Sequence, residues 1–276
     1  MPASKSGLSA YLRKVLLLMG LALCFFVLLL GALTWLQTHT HRFLFRLAPA
    51  EGGVGEGDLL HATEVLSARL QALRGHLGLG RGAVQALPPD GIELQVNCRS
   101  ESLPSLAWLT MQGLVEFRLL HPDEDILEAR GPEGLPSSYE VKVYRRRRYM
   151  LTRLNELQTV EERYVVEREP ILRVAEFEEV TMDTVGSQKR VVITFRFGKD
   201  DAEAFGRLTA LHAGRRMAML IDGEMFFPPR EIEAAVTLGA VQAQGFFHIP
   251  PLRRLAAALD CGSLPAPLQE VSHTVE

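Results

Sequence analysis

The chain has 276 residues, of which 47% are apolar and 23% charged, with a formal net charge of −3. These values fit a folded body of one or two domains and exclude wholesale nucleic-acid binding, which calls for a clustered cationic face. The three cysteines, Cys24, Cys98 and Cys261, form no C-x-x-C pair, so no zinc knuckle or thioredoxin-type motif is written here.

Residues 1–14 carry Lys5, Arg13 and Lys14 and no acid. VLLLMGLALCFFVLLLGALTWL, Val15 to Leu36, then runs 22 residues without a charge. At about 1.5 Å per residue a helix of that length spans a hydrocarbon core of roughly 30 Å. The run is too long for a signal-peptide core, and the nearest small-residue site, Ala48-Pro49-Ala50, lies far downstream. Cys24 sits mid-span behind a leucine, which does not suit a lipoprotein site. The segment is expected to be an uncleaved anchor, with residues 1–14 cytoplasmic and the bulk of the chain periplasmic, as the cation asymmetry directs. Cys98 and Cys261 would then lie where disulfides form.

Beyond the anchor, 37–125 reads as the first part of a base lobe. HRFLFRLA alternates Phe43, Phe45 and Leu47, the period of a half-buried strand. DLLHATEVLSARLQALRGHLG places Leu59, Ala62, Leu66, Leu70, Leu73 and Leu77 on one helical face, with Asp58 positioned to cap the start and Gly78 to close the end. GAVQALPPDGIELQVN predicts two strands about a Pro-Pro-Asp-Gly turn. LPSLAWLTMQG predicts a second helix, and LVEFRLL a fourth strand. That order is the ferredoxin-like split βαβ plan, with two helices on one face of an antiparallel sheet.

Residues 126–170 are polar and punctuated by Pro and Gly, with local strands at YEVKVY and RYVVE, and read as a variable excursion. A second α+β unit, 171–247, follows as a head lobe. It comprises a hairpin over EEVTMDTVGSQKRVVITFRF, a helix over DDAEAFGRLTALHAG ending at Gly214, and a tight hairpin at RRMAMLIDGEMFF with its turn at Asp222-Gly223. REIEAAVT and the strand AVQAQGFF close the unit. Residues 248–276 supply the helix PPLRRLAAALD, a stiff extended return through CGSLPAPL, and a C-terminal tail. The fold class expected is therefore α+β: one transmembrane helix followed by a two-lobed extracytoplasmic body.

Constellations that carry chemistry are sparse. Gly78, Gly80 and Gly82 follow a helix and miss the dinucleotide spacing, so they read as a helix end and a turn. The imidazole and carboxylates of His121 to Asp125 adjoin in one loop without distant partners, a poor basis for a metal site. Ser187, Ser263 and Ser272 lack a nucleophile elbow, and the eight histidines are scattered. Neither an enzyme nor a cofactor is expected. Arg145, Arg146, Arg147 and Arg148 form the densest charge run, a solvated face or a contact for anionic lipid or unfolded chain.

FGRLTALHAGRRMAMLIDGEMFFPPREIEAAVTLGAVQAQGFFHIPPLRRLAAALDCGSLPAPL resembles the first periplasmic domain of the SecD family, the SecD/SecF protein-export translocase proteins. The residues carrying the likeness include Asp222, Gly223, Pro228, Gly239, Gly245, Gly262, Leu264, Pro265 and Pro267. Upstream, TEVLSARLQALRG, GIELQVN and LVEFRLL are similar to the base of the same domain. The resemblance implies a ferredoxin-like base interrupted by an inserted head, with the last helix returning to the base. It implies a non-enzymatic accessory of export whose partners are the membrane, SecD/SecF or the translocase, and unfolded secretory polypeptides. In the family the segment matching GSLPAPL leads towards a second membrane helix; here only the first helix and the domain are expected. Leu264 is expected to pack on the base and Gly245 to turn the backbone out of a strand. A structural module of another envelope complex is the rival reading.

Overall fold

The computed structural model describes residues 39–48, 54–99, 106–149, 157–185, 190–245 and 249–276. The apolar span Val15 to Leu36 lies outside the described residues, and among those described no helix is long and apolar enough to cross a membrane.

The base is a four-stranded antiparallel sheet with one helix-covered face. Strand β1 (His39–Leu47) is followed by helix α1 (Glu56–Leu77) and the hairpin of β2 (Gly82–Leu87) and β3 (Gly91–Cys98). On β1, Phe43, Phe45 and Leu47 alternate inward, and on β3 Ile92, Leu94, Val96 and Cys98 do the same. They meet Leu66, Leu70, Leu73 and Leu77 of α1 in the base core. Helix α1 starts at Gly55, whose N–H is taken by the Asp58 carboxylate at 2.9 Å. Asp58 thus acts from inside the first turn, not as the cap itself. At the other end Gly78 takes the left-handed conformation, φ 65°, that closes a helix.

The fourth base strand is not LVEFRLL. It is β14 (Leu268–Val275), formed by the C-terminal tail, which pairs antiparallel with β1 and gives the order β14-β1-β3-β2. The split βαβ order is present, but its last strand lies some 150 positions beyond where the local pattern put it. LVEFRLL alternates Val115, Phe117 and Leu119 inward as a strand should, and alternation alone does not choose between two sheets. The extended GSLPAPL therefore feeds directly into the base sheet.

The helix predicted at LPSLAWLTMQG is reduced among the described residues to the short α2 (Ala107–Thr110), after which the chain departs into β4 (Val115–Leu119). Next come a one-turn helix α3 (Ile126–Arg130), β5 (Tyr139–Tyr149), β6 (Leu157–Glu167) and β7 (Leu172–Val174). The head continues with β8 (Phe177–Val185), β9 (Arg190–Phe197), α4 (Lys199–Leu211), β10 (Arg216–Ile221), β11 (Glu224–Met225), β12 (Arg230–Glu231) and β13 (Ala240–Gly245). Its larger sheet runs β6-β5-β11-β10-β4-β7, with β12 also on β10, and its smaller one β13-β9-β8. The stretch read as an excursion is in good part the β5–β6 hairpin. It joins the larger sheet through Met225 opposite Tyr144, and Tyr144 and Val166 pack there with Leu120, Ala218 and Leu220.

Helix α5 (Ile249–Asp260) does more than return to the base. Its Leu252, Leu255, Ala256 and Leu259, at helical spacing, are buried in the head core with Phe195, Phe205 and Phe227. Ala258, on its other side, joins the base core with Leu73 and Leu94. The Asp260 carboxylate also accepts the Val180 N–H of β8 at 2.8 Å.

One side chain of α1 fastens both junctions between base and head. Arg69 is fully buried, and its guanidinium donates to five main-chain carbonyls. Nε reaches Ala258 at 3.2 Å; Nη1 reaches Leu109 at 3.1 Å and Met111; Nη2 reaches Gln112 at 3.1 Å and Gly262 at 2.5 Å. Three acceptors lie where the chain leaves the base and two where it returns. Burial pulls the guanidinium down from 12.5 to about 10, partly offset by Cys261 and Asp222, so it remains charged at neutral pH. Beside it, Gly113 has φ +83°, and a Cβ there would stand 2.7 Å from Arg69 Nη2.

This packing is open to measurement at two places. Arg69→Ala should cost about 3–5 kcal/mol, because buried carbonyls lose their donors. The urea midpoint reads it, and a shift below about 1 kcal/mol would contradict the role assigned to the fork.

The second concerns the β1–β14 pair. His41 is buried, its Nδ1 lies 3.0 Å from His273 Nε2 on β14, and its Nε2 has no partner among the described residues. Burial first, then the neighbouring His273 and His39, hold its pKa below the ordinary 6.5. The unfolded chain therefore takes up that proton first. This contribution is intact above about pH 6.5 and is lost as pH falls through and below it. Thermal melts between about pH 7.5 and 5.5 should show His41→Phe losing less stability on acidification than the unaltered chain; equal slopes would refute this.

Candidate functional site

The head carries a cavity of about 480 Å³ between β10, α4, β13 and the 227–238 segment. Its depth is aromatic. Phe117 of β4 and Phe205 of α4 stand 4.8 Å apart, centroid to centroid, and both are buried. Phe227 closes one end against Phe195 at 6.0 Å. Met217 and Met219 of β10 form one wall, flexible thioether side chains that adapt to irregular apolar surfaces. Val241 and Ala243 of β13 also line it. The rim is mixed, with Arg230, Glu231 and Glu233 beside Leu238, which is 92% exposed.

Local chemistry fixes these walls. Asp200 and Asp201 sit in the first turn of α4, where a helix N-terminus favours negative charge. Four residues apart, Phe205 and Thr209 share the buried face of that helix. The Thr209 hydroxyl donates to Phe205 O at 2.7 Å and accepts the Val236 N–H at 2.9 Å, which pins the irregular 232–239 segment against the helix. REIEAAVT thus contributes the two-residue β12 and then a rim.

The tight hairpin at Asp222-Gly223 forms as expected, with Ile221 opposite Glu224. Both turn residues have positive φ, 50° and 77°, as a two-residue hairpin of the primed type requires. The Asp222 carboxylate has a further task that spacing does not reveal. It accepts the N–H of Gly113 at 2.8 and 3.0 Å and that of Leu114 at 2.8 Å, tying the hairpin to the point where the chain enters the head.

The other singled-out residues fall in three places. Pro228 lines the cavity, and Gly239, φ 64°, lies just before β13 and gives its carbonyl to the Phe197 N–H at 2.9 Å. Gly245 is the last residue of β13, opposite Val191. Gly262, φ 89°, gives its carbonyl to Arg69, while Leu264 is buried in the base with Leu47, Leu59 and Leu66. Pro265 and Pro267 lie in the extended approach to β14, and the Pro267 carbonyl accepts the Ala48 N–H at 2.9 Å. They do not form one site: one group shapes the cavity and another the junction.

Arg145 to Arg148 lie on β5 opposite Glu161, Val160, Thr159 and Gln158. Arg145 pairs with Glu161 at 3.0 Å on an exposed surface, an interaction worth little in water. At the 121–125 loop the polar groups are spent locally. The Asp123 N–H donates to His121 Nδ1 at 3.0 Å, the Asp125 N–H to Asp123 Oδ1 at 3.1 Å, and Glu124 pairs with Arg216 at 2.5 Å. Cys98 is a buried free thiol and Cys261 a half-buried one. Among the described residues no set of three His, Cys, Asp or Glu side chains is placed to hold a metal.

Arg69 carries a signal in the sequence itself. It lies three positions after Leu66 and four before Leu73, on the apolar stripe of α1, where a cation needs a buried set of acceptors.

Residues 149–266 match the family model described as SecDF, P1 head subdomain. The protein translocase subunit SecD of Acidaminococcus fermentans is 37% identical over 82 residues, 30% of this chain and 19% of that protein. The same subunit of Elusimicrobium minutum is 29% identical over 104 residues, 38% of this chain and 22% of the relative. The chain thus spans about a fifth of the length of either relative. A solved structure described as "Structure and function of a membrane component SecDF that enhances protein export" superposes with a TM-score of 0.59 at 18% identity, covering 84% of this chain and 98% of that one. A second, "Crystal structure of SecDF in Super-membrane-facing form", gives 0.61 at 18% identity over 86% of this chain and 30% of the other. Residues 149–266 are therefore similar to a SecDF P1 head subdomain, and the chain shares its fold with the SecDF structures.

Proposed function

We propose that this protein is a membrane-anchored accessory of protein export, and that its head cavity holds apolar segments of translocating or folding polypeptides without catalysing a reaction. The cavity carries the reading. It is open at a rim bearing an exposed leucine, aromatic at depth, and walled by two methionines. Such a surface gains from desolvating apolar side chains of varied shape and sets few demands on sequence. The relatives, named as translocase subunits, supply the setting. In that setting Val15 to Leu36 anchors the chain in the inner membrane with residues 1–14 cytoplasmic, and base and head stand in the periplasm beside the translocase.

The reading is tested in living cells with a photocrosslinking residue at Leu238 on the rim or, as a control, at Leu60, which is 54% exposed on α1 of the base. The Leu238 position should trap secreted polypeptides and the Leu60 position should not. Met219→Asp, which places a charge in the cavity wall, should reduce the yield at Leu238 by about tenfold, equivalent to about 1.4 kcal/mol. Equal trapping at both positions, or none at either, would refute the cavity as the binding site.

A further inference from the structure

We propose that the cavity captures its polypeptide by strand addition: an extended segment pairs through its main chain with the free edge of β13 while alternate side chains enter the cavity. This rests on the reading that the head holds polypeptide, and adds how it does so. Strand β13 is an outer strand, β9 being its partner in the order β13-β9-β8. The Phe197 N–H donates to Gly239 O at 2.9 Å. In an antiparallel ladder bonded pairs alternate, so Val241 with Phe195 and Ala243 with Ile193 exchange main-chain bonds. Ala240, Gln242 and Gln244 then turn their N–H and C=O groups away from β9. The Gln244 carbonyl does face outward, since it accepts Arg230 Nη2 at 3.1 Å. This guanidinium marks one end of the edge.

The edge also lacks the usual protection. Outer strands are commonly blunted by charge, proline or a bulge, yet AVQAQG has none of these and pairs with β9 without a register shift. The outer β6 carries Glu161 and Glu162, β7 carries Arg173, β8 carries Glu178, Glu179 and Asp183, β12 is Arg230–Glu231, and β14 carries Glu270. The uncharged outer strand β2 is flanked by the polar Ser67, Gln71 and Arg74. Only at β13, among the described outer strands, do bare main-chain groups run along an apolar cavity, where every residue from Ala240 to Gln244 contributes to the lining. An occupant that satisfies both features is an extended chain with an apolar side chain at every second position. Main-chain pairing would make the capture indifferent to exact sequence.

The test uses the full chain purified in detergent and a fluorescent heptapeptide of alternating valine and threonine, read by anisotropy. Two further peptides carry N-methyl groups on alternate residues, one in each register. A strand on β13 presents one set of amides to the edge and the other to solvent. One methylated peptide should therefore bind about tenfold more weakly or worse, and the other within about twofold of the parent. Gln242→Pro removes an outward N–H while leaving the β9 bonds, and should weaken the parent peptide by a similar factor with an unaltered thermal midpoint. If that variant fails to fold, the methylation pair decides alone. Equal binding of all three peptides would overturn strand addition while leaving the cavity as a binding site. Equal loss in both registers would likewise overturn it. No binding of the parent peptide would overturn strand addition and the cavity reading together.

Discussion

A positive charge removed from water must recover in the interior what its hydration shell supplied, and a guanidinium can do so without a carboxylate if enough carbonyl oxygens converge on its planar fork. Arg69 meets this condition with acceptors drawn from residues 109–112 and 258–262. These two short segments are the places where the chain crosses between base and head. A lysine would offer three donors on a flexible stem and would not match the fixed directions of five acceptors. The fork therefore fixes the spacing of the outgoing and returning chains, and Gly113 is needed because any side chain there would enter the space of Nη2.

From that crossing the order propagates into the cavity. The Asp222 carboxylate takes the amides at Gly113 and Leu114, while Arg69 takes the carbonyls just before them. Together they hold the start of β4, and β4 pairs with β10 from Val115 opposite Ile221 to Leu119 opposite Met217. Met217 and Met219, the cavity wall, are thus positioned by a register set at the junction. Helix α5 completes the linkage by placing its leucines in the head core and Ala258 against the base. The cavity belongs to the head, but its wall is aligned by contacts that the base organises.

Much of this could be read from the chain because local patterns follow local physics. The alternation at Phe43, Phe45 and Leu47, the stripe of α1 and the Asp222-Gly223 turn each depend on a few adjacent residues, and each forms as the pattern requires. The partner of a strand was less legible. LVEFRLL and LQEVSHTV are both short strands, and only the three-dimensional path of the inserted head assigns the second to the base and the first to the larger sheet. In the tail, Glu270 and His273 mask the alternation, since β14 is an edge strand whose residues are mostly exposed. The cavity itself was illegible: its lining comes from β4, α4, β10, β12, β13 and an irregular rim, and no single stretch contains enough of it to leave a motif.

One buried fork thus makes base and head a single cooperative body. Native-state hydrogen exchange tests this most directly, by comparing the most protected amides of β1 and β3 in the base with those of β9 in the head over a series of low urea concentrations. Both sets should converge on one opening free energy and one urea dependence in the unaltered chain. Base amides that open at a lower free energy, with their own smaller urea dependence while β9 stays protected, would contradict it.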